Sequence, residues 1–331
     1  MPRPGLIDLA AARLGGRAVI ANDEFFASRH NLLKPGRGVF IEGRYTERGQ
    51  WMDGWETRRR RTPGHDWCIV RLGVPGVVRS VTVDTNHFRG NHPEACSLDA
   101  LHLPRPTGAR RLAALGDWIE IVPRSPLTGH TEHDLAVRSG VPFTHLRLNI
   151  FPDGGVARLR VWGEARPDWA RLMAARRPVD LAAATNGGVV LLCSDQFFSE
   201  PLNLLMPGRA ANMGDGWETR RRRGTGHDWV VLRLGRRGRI EAVEVDTTHF
   251  KGNYPESCRL EACDEPGATG PTVPEPGTGW REIVPRAKLR PHHRHRFAVA
   301  AGARRPVSHV RLSIFPDGGV SRLRLWGRPV E

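Results

Sequence analysis

With 331 residues, the chain has room for two domains of ordinary size, and a hydrophobic content of 39% is sufficient for packed cores. No stretch approaches the roughly 20 apolar residues needed to cross a bilayer, so no membrane partner is expected. The net charge of +15 raises the question of nucleic-acid binding. However, most basic residues are arginines inside repeated motifs with acids beside them, so we expect no nucleic-acid partner.

The N-terminus and the cysteines both favour a reducing compartment. Charged residues interrupt the first apolar run, which argues against a secretory signal. The 5 cysteines are odd in number and contain no C-x-x-C pair, which argues against a disulfide framework and a zinc ribbon. We therefore expect reduced, mostly buried thiols and a cytoplasmic location.

Nearly the whole chain is an internal duplication. The string DGWETRRRRTPGHDW at residues 53–67 returns as DGWETRRRRGTGHDW at residues 215–229. A fixed offset between long near-identical strings indicates duplicated units rather than local propensity. The first copy carries about ten extra residues, around residues 43–52, and such an insertion predicts a surface loop.

Each half is predicted to consist mostly of short strands separated by Gly, Pro or Asp-Gly turns. In the first half the predicted strands span residues 67–72, 77–84, 96–103, 118–122, 134–137, 144–151 and 157–162. The one convincing helix is predicted at residues 167–177, with a proline at its first position. The expected fold is all-β, with two tandem jelly-roll β-sandwich domains at residues 1–165 and 180–331 and a helical linker at residues 166–179.

Four adjacent arginines follow Glu56 and Thr57 in the repeated string. In an extended strand, Glu56, Arg58 and Arg60 would share one face. Such a row of guanidinium groups suits the binding of a carboxylate, which it can hold in bidentate geometry. An ion-paired strand with a purely structural role is an equal alternative.

Two further polar groups recur in both copies. His65 precedes an acid at the entry to a strand, and Asp84 and His87 follow a strand end. Histidine beside a carboxylate suits acid–base chemistry near neutral pH, and loops at strand ends often carry binding groups. Capping of the local turns is the alternative for both groups.

His130 and His133 form an H-x-x-H pattern that returns in the second copy. Residues three apart in a strand point to opposite faces, so the pair can share a metal only if the segment is bent or helical. We expect no metal, although a divalent ion remains an alternative.

Asp153 lies in the FPDGG motif, where we expect it to belong to a turn rather than to bind a ligand. No cofactor-binding motif is present.

The strings DGWETRRRR…GHDW, VDT-x-HF-[RK]-GN, IVPR and FPDGG…RLR-x-WG, duplicated in one chain, resemble the allantoicase family from residue 6 to about residue 328. The resemblance implies a pair of jelly-roll domains related to galactose-binding modules. It also implies the hydrolysis of allantoate to ureidoglycolate and urea in purine (allantoin) degradation. The catalytic residues do not follow from it.

The chemistry of allantoate selects candidates among the repeated residues. A carboxylate clamp, one acid and one base suffice, because the reaction needs no acyl-enzyme. The predicted catalytic residues are Glu56, Asp84, His87, Glu218, Asp246 and His249. The predicted substrate-binding residues are Arg58, Arg60, His65, Asn91, Arg220, Arg222, His227 and Asn253.

Several questions stay open at this level. One site in each domain and one composite site are both compatible with the duplication, and a homo-oligomer is expected. A non-catalytic sugar-binding or small-molecule-binding module is the alternative function, since related sandwiches commonly bind without catalysis. A basic nucleic-acid binder is a third candidate, which predicts steeply salt-dependent retention on DNA or RNA.

Overall fold

The computed structural model describes residues 3, 5–265 and 279–330. The chain divides into two compact units, Ile7–Arg166 and Pro167–Glu331, and the second unit also includes residues 1–6. Residues 167–179 of the predicted linker fall within the second unit, and Arg166 is the last residue of the first. No helix among the described residues is long and apolar enough to span a membrane.

The first unit is built from antiparallel strands with one short α-helix. Its strands are β1 (Ile7–Asp8), β2 (Arg17–Ala21), β3 (Tyr45–Thr46), β4 (Gly49–Gln50), β5 (Trp55–Glu56), β6 (Asp66–Asp84), β7 (Ala95–Leu101), β8 (Ile119–Pro126), β9 (Glu132–Ala136), β10 (Phe143–Phe151), β11 (Gly155–Val156) and β12 (Arg158–Ala165). Its helices are α1 (Ala109–Ala113) and the 3₁₀ turns Ala12–Leu14 and Arg29–Leu33.

The second unit repeats this order. It begins with α2 (Trp169–Ala174). Its strands are β13 (Val179–Asp180), β14 (Val189–Cys193), β15 (Trp217–Glu218), β16 (Asp228–Asp246), β17 (Ser257–Cys263), β18 (Arg281–Lys288), β19 (Arg294–Ala298), β20 (Val307–Phe315), β21 (Gly319–Val320) and β22 (Arg322–Pro329). Its 3₁₀ turns are Ala184–Asn186, Pro201–Leu205, Met213–Asp215 and Ala301–Ala303.

One long strand in each unit takes part in two sheets. The first half of β6 pairs with β2 and β10, and β10 continues the sheet through β7 to β8. The second half of β6 pairs with β12 and β9, and β12 also pairs with β1. β16 has the same partners in the second unit. The predicted all-β fold of two jelly-roll sandwiches is confirmed.

The core is formed by apolar side chains at every second position of these strands. In β10, Leu146, Leu148 and Ile150 are fully buried, which is the two-residue period expected of a strand that covers a core. Their counterparts in β20, such as Leu312 and Ile314, are equally buried. The core therefore holds the strand ends, and the loops beyond them, in a fixed position.

Three local expectations are corrected by the structure. Two strands were predicted on either side of residues 73–76, but β6 is continuous through them, with an irregular register. The helix predicted at residues 167–177 is limited to Trp169–Ala174, and its N-cap is Asp168, whose side chain accepts a hydrogen bond from the Arg171 amide at 2.9 Å. α1 is a further helix that the sequence did not indicate.

The insertion in the first copy lies at the surface, as predicted, and forms a hairpin there. Its strands β3 and β4 pair with each other and are exposed along their length. The corresponding part of the second unit is the short turn Met213–Asp215. The cysteines are free thiols, and burial raises the pKa of Cys68, Cys96, Cys258 and Cys263.

Candidate functional site

Glu56 is positioned by the short strand β5. This strand pairs with β11, so that Trp55 lies opposite Val156 and Glu56 lies opposite Gly155. The Trp55 side chain is fully buried and its indole donates to the Asp23 carbonyl at 2.8 Å. Because successive side chains in a strand alternate, burial of Trp55 directs the Glu56 carboxyl towards the surface.

Asn91 meets Glu56 from the loop that follows β6. Its side-chain amide donates to the Glu56 carboxyl at 2.7 Å, and the Asn91 carbonyl accepts from the Gly155 amide at 2.8 Å. Burial raises the pKa of Glu56, and the hydrogen bond from Asn91 opposes this shift only in part. The Glu–Asn pair, defined as this carboxyl and this amide, can therefore hold a proton and offer hydrogen bonds.

The second unit contains the same Glu–Asn pair. Asn253 donates to the Glu218 carboxyl at 2.5 Å, and the Asn253 carbonyl accepts from the Gly319 amide at 2.8 Å. All four residues of the two pairs are among the predicted site residues, but the sequence does not predict that each pair is in direct contact.

Arg58 and Arg220 lie beyond the strands, because β5 ends at Glu56 and β15 ends at Glu218. The expectation of an alternating strand through the arginines is therefore wrong. The Arg58 guanidinium lies 2.7 Å from the Asp23 carboxylate. Arg220 packs on the Phe197 ring at 4.1 Å, and its main-chain amide donates to Asp195 at 2.8 Å.

Arg60 and Arg222 are also engaged within their own units. The Arg222 guanidinium donates to the Asp228 carboxylate at 2.5 Å, and Arg60 lies 3.4 Å from Asp66. The main-chain amides of both arginines donate to the carboxylate of the FPDGG turn, which is Asp317 in the second copy. These contacts match the ion-paired alternative for this part of the string.

The second arginine of each row is free of such contacts. Arg59 and Arg221 are exposed, and neither makes a hydrogen bond or an ion pair with any residue that the structure describes. Each stands between two arginines whose positions are fixed by acids. A row of four arginines thus presents alternate members to a ligand, because the others are held by their own unit.

The His65 and His227 rings pack against the phenylalanine at the end of the neighbouring strand. His65 lies 4.7 Å from the Phe151 ring, and His227 lies 4.5 Å from the Phe315 ring. Burial lowers the pKa of His227, and the nearby arginines, led by Arg259, lower it further. These contacts engage the two rings with aromatic neighbours rather than with the Glu–Asn pairs.

Asp84 and His87 organise the loop that carries Asn91. Asp84 is buried and accepts from the Asn86 main-chain amide at 2.8 Å. His87 has a left-handed backbone (φ 69°), and its main-chain amide donates to the His130 ring at 3.0 Å. Burial lowers the pKa of His87, and the neighbouring His130 adds to this effect.

Asp246 and His249 repeat these contacts in the second unit. Asp246 accepts from the main-chain amide and the hydroxyl of Thr248, at 2.8 and 2.5 Å. The His249 amide donates to the His292 ring at 2.9 Å, and the His249 ring bonds the Ala210 carbonyl at the same distance. In both units these groups are tied to the backbone around them.

The H-x-x-H histidines do not converge on one point. The His130 ring accepts from the His87 amide, whereas the His133 ring accepts from the Thr128 amide at 2.9 Å and meets the Val83 carbonyl at 3.3 Å. Within residues 3, 5–265 and 279–330, no group of three or more His, Cys, Asp or Glu residues is arranged to hold a metal ion.

A cavity of about 680 Å³ lies at the Glu–Asn pair of the second unit. Its lining includes the cations Arg221, Arg222 and Lys288, the acids Glu218, Glu256 and Asp317, and the side chains of Phe198, Thr219, Asn253 and Tyr254. Four other predicted residues of this unit are outside its lining, namely Arg220, His227, Asp246 and His249.

Lys288 lines the cavity but is absent from the predicted site residues. Arg221 belongs to the row of four arginines for which carboxylate binding is predicted, although the predicted substrate-binding residues name only its neighbours Arg220 and Arg222. Lys288 stands where the first copy has Pro126, so a search for residues shared by the two copies passes over it. A comparison of the differences between the copies would have found it.

Two β-sandwich repeats, each with a carboxyl–amide pair formed by the end of a short strand and the loop after the long strand, define a tandem-repeat protein with a polar site for a small molecule. The allantoicase repeat model matches residues 7–166 and 179–330. The chain is 52% identical to a protein named probable allantoicase from Pseudomonas paraeruginosa, over 98% of this chain and 96% of that one. A protein named probable allantoicase 1 from Burkholderia mallei is 48% identical, over 97% of this chain and 94% of that one.

The crystal structure of allantoicase from Saccharomyces cerevisiae has the same architecture. It superimposes with a TM-score of 0.82 at 37% identity, covering 98% of this chain and 94% of the yeast chain. The chain belongs to the allantoicase family.

Proposed function

We propose that this protein is an allantoicase that hydrolyses allantoate to ureidoglycolate and urea. The observation that carries this proposal is 52% identity to a probable allantoicase over 98% of the chain, including both repeats. Similarity of this extent covers every loop that contributes to the Glu–Asn pairs.

The groups that line the second-unit cavity suit this substrate. Allantoate bears one carboxylate and two ureido groups on the same carbon. Arg221 and Lys288 offer positive charge for the carboxylate, while Glu218 and Asn253 offer an acceptor and a donor for a ureido group. A site of this kind holds the reacting carbon between an anion-binding side and a proton-transfer side.

A single carboxyl can carry out both proton transfers in this reaction. In the proposed sequence, the Glu218 carboxylate takes the N–H proton of one ureido group and passes it to the nitrogen of the other, so that urea leaves and a carbon–nitrogen double bond forms. Water then adds to the carbon of this double bond. Glu218 passes a proton of the water to the remaining ureido nitrogen, which yields ureidoglycolate and leaves Glu218 as a carboxylate.

The loop residues that were predicted as catalytic take a positioning role in this proposal. Asp84 and Asp246 accept hydrogen bonds from main-chain amides of the loop that ends in the asparagine of the Glu–Asn pair. In the same loops, the main-chain amides of His87 and His249 donate to the rings of His130 and His292. Arg58 and Arg60, with their counterparts, hold the string against acids of the same unit. Their contacts support a role in fixing the site, because each guanidinium is already engaged.

The remaining expectations are part of the same proposal. We place the protein in the cytoplasm, which its free thiols support, and expect it to work without a cofactor or a nucleic-acid partner. Self-association is supported by exposed apolar side chains on the first-copy hairpin, where Tyr45 is 69% exposed. Light scattering after size-exclusion chromatography measures the oligomeric state directly.

The test of the activity is urea release from allantoate by the purified full-length protein. We expect steady turnover, with no loss after treatment with a chelator. No urea above background, before or after chelation, would leave a binding module as the better description. Loss of turnover after chelation alone would instead show that a metal takes part.

A further inference from the structure

The Glu–Asn pairs are alike in the two units, but their surroundings are not. The motifs IVPRSP and IVPRAK align β8 with β18, so that Pro126 ends the first strand and Lys288 ends the second. Arg59 and Arg221 are equivalent. The second unit therefore has two cations where the first has one.

The first-copy hairpin adds a second difference. Its Arg48 donates to the Phe25 carbonyl at 2.8 Å and lies 5.0 Å from the Phe25 ring. A side chain at Gly49 would come within 3.9 Å of Phe26. Phe26 is the counterpart of Phe198, which lines the cavity in the second unit.

The phenylalanine beside the hairpin is less exposed than its counterpart in the second unit. Phe198 is 60% exposed, whereas Phe26 is only 38% exposed. The hairpin thus occupies space beside the first Glu–Asn pair that is open beside the second. Both differences favour the second unit as the place where a charged molecule enters.

Lys288 is available to an incoming anion. Its side chain is exposed, and no carboxylate of the described residues lies within 4 Å of its ammonium group. Glu256 lines the same cavity and interacts electrostatically with Lys288: its pKa is lowered first by a hydrogen bond with Ser257, then by Arg286, and also by Lys288. Glu256 is 3.3 Å from Arg286, so its contact partner is that arginine.

We propose that the substrate carboxylate binds in the second-unit cavity through Lys288 together with Arg221, and that the first unit provides no equivalent site. This inference rests on the proposed function and names the residues that select an anionic substrate. Lys288 and Arg221 both line the cavity and hold the carboxylate, and the Glu218–Asn253 pair, which also lines it, bonds the ureido groups. The chain consequently has one working site, although its two repeats look equivalent in sequence.

The first experiment compares three full-length variants in the urea-release assay. Lys288→Ala is expected to raise the KM for allantoate by roughly 10- to 100-fold with a much smaller change in kcat, because it removes a charge-assisted hydrogen bond to the bound carboxylate. Lys288→Arg keeps the charge and is expected to restore most of the affinity. Lys251→Ala removes an exposed lysine of the same unit that is outside the cavity lining, and should leave KM unchanged.

The second experiment separates the two units. Arg221→Ala is expected to raise KM clearly more than the matched variant Arg59→Ala, since only the second unit holds the substrate. Calorimetric titration of the wild-type protein with ureidoglycolate is expected to give one binding site per chain, and Lys288→Ala should weaken it.

The outcomes distinguish this inference from the function on which it rests. A wild-type protein that releases no urea overturns the proposed function itself. An active wild-type protein overturns only the inference if Lys288→Ala keeps the wild-type KM, if Arg59→Ala and Arg221→Ala have equal effects, or if two equal sites are titrated. Thermal unfolding of each variant shows whether a change in KM reflects loss of the fold.

Discussion

The Arg158 guanidinium donates to the Asp53 carboxylate at 2.5 Å, and the two residues are only 3% and 6% exposed. Arg158 lies at the start of β12, whereas Asp53 opens the repeated DGWETRRRR string. In the second unit, Arg322 bonds Asp215 in the same way at 2.8 Å. Asp53 therefore holds the string to the sandwich. Glu56, three residues later, is left to form the Glu–Asn pair.

Replacement of this arginine is expected to destabilise the protein strongly. Arg158→Met leaves Asp53 buried with only Lys34 as an ionic partner, and loss of one member of a buried pair costs about 3–5 kcal/mol. Urea unfolding measures the free energy of unfolding. The matched control is Arg166→Met, which removes an exposed pair with Glu164 and should cost less than about 1 kcal/mol. Equal costs for the two variants would contradict the buried-pair assignment.

Arg58 and Asp23 should behave as a coupled pair. Asp23 accepts from both the main chain and the side chain of Arg58, and the side chain of Arg58 is 63% exposed. A double-mutant cycle with Arg58→Ala and Asp23→Ala is expected to give a coupling of about 0.5–1 kcal/mol in the free energy of unfolding. The assignment fails if the two changes are additive, or if Arg58→Ala raises the KM for allantoate as much as Arg221→Ala does.

Most of the fold was predictable because turn residues delimit the strands. The error at residues 73–76 has a clear cause, since the G-V-P-G sequence is typical of a turn but here forms the bend of one long strand. The bend lets β6 pair with β10 before it and with β12 after it. Such a change of partners depends on the other strands and leaves no local signal.

The candidate site was predictable only in part, for a related reason. Glu56 and Asn91 were chosen because they recur in both copies, and they do meet. The partner of Arg58 could not be predicted, because Asp23 lies 35 residues earlier in the chain and looks like an ordinary loop acid. Lys288 does not follow from the repeats because it is not shared by the copies: it is the charged residue of the cavity lining whose first-copy counterpart, Pro126, is uncharged.

Two buried histidines are expected to make the fold sensitive to acid. His145 is 5% exposed and His309 is fully buried, and burial lowers the pKa of each to about 4, with an adjacent arginine as a further cause. In the unfolded chain a histidine has a pKa of about 6.5. The unfolded state therefore binds protons first as the pH falls, so stability decreases from about pH 6.5 downwards and this loss is complete near pH 4.

The measurement is the melting temperature between pH 7.5 and 5. His309→Gln should flatten its pH dependence, because the unfolded state then has one fewer histidine to protonate. His102→Gln removes an exposed histidine and should keep the wild-type slope. An unchanged slope in His309→Gln would contradict the assignment to this residue.

Gly155 is predicted to be irreplaceable beside the Glu–Asn pair of the first unit. A methyl group at this position would overlap the Phe88 ring, which is fully buried, and the Gly155 amide bonds the Asn91 carbonyl. Gly155→Ala should therefore cost at least about 1–3 kcal/mol, the usual effect of overpacking, and should displace the loop that carries Asn91.

Gly90→Ala is the matched control, because it lies in the same loop and an added methyl group would meet nothing within 4 Å. Its cost should stay within about 0.5 kcal/mol. Gly319→Ala repeats the test in the second unit, where the added methyl group would overlap Phe250. Since that unit is proposed to hold the substrate, Gly319→Ala should also lower urea release, and to a greater extent than Gly155→Ala. Equal activity in the two folded variants would mean that the two Glu–Asn pairs contribute alike, against the asymmetry inferred from Lys288.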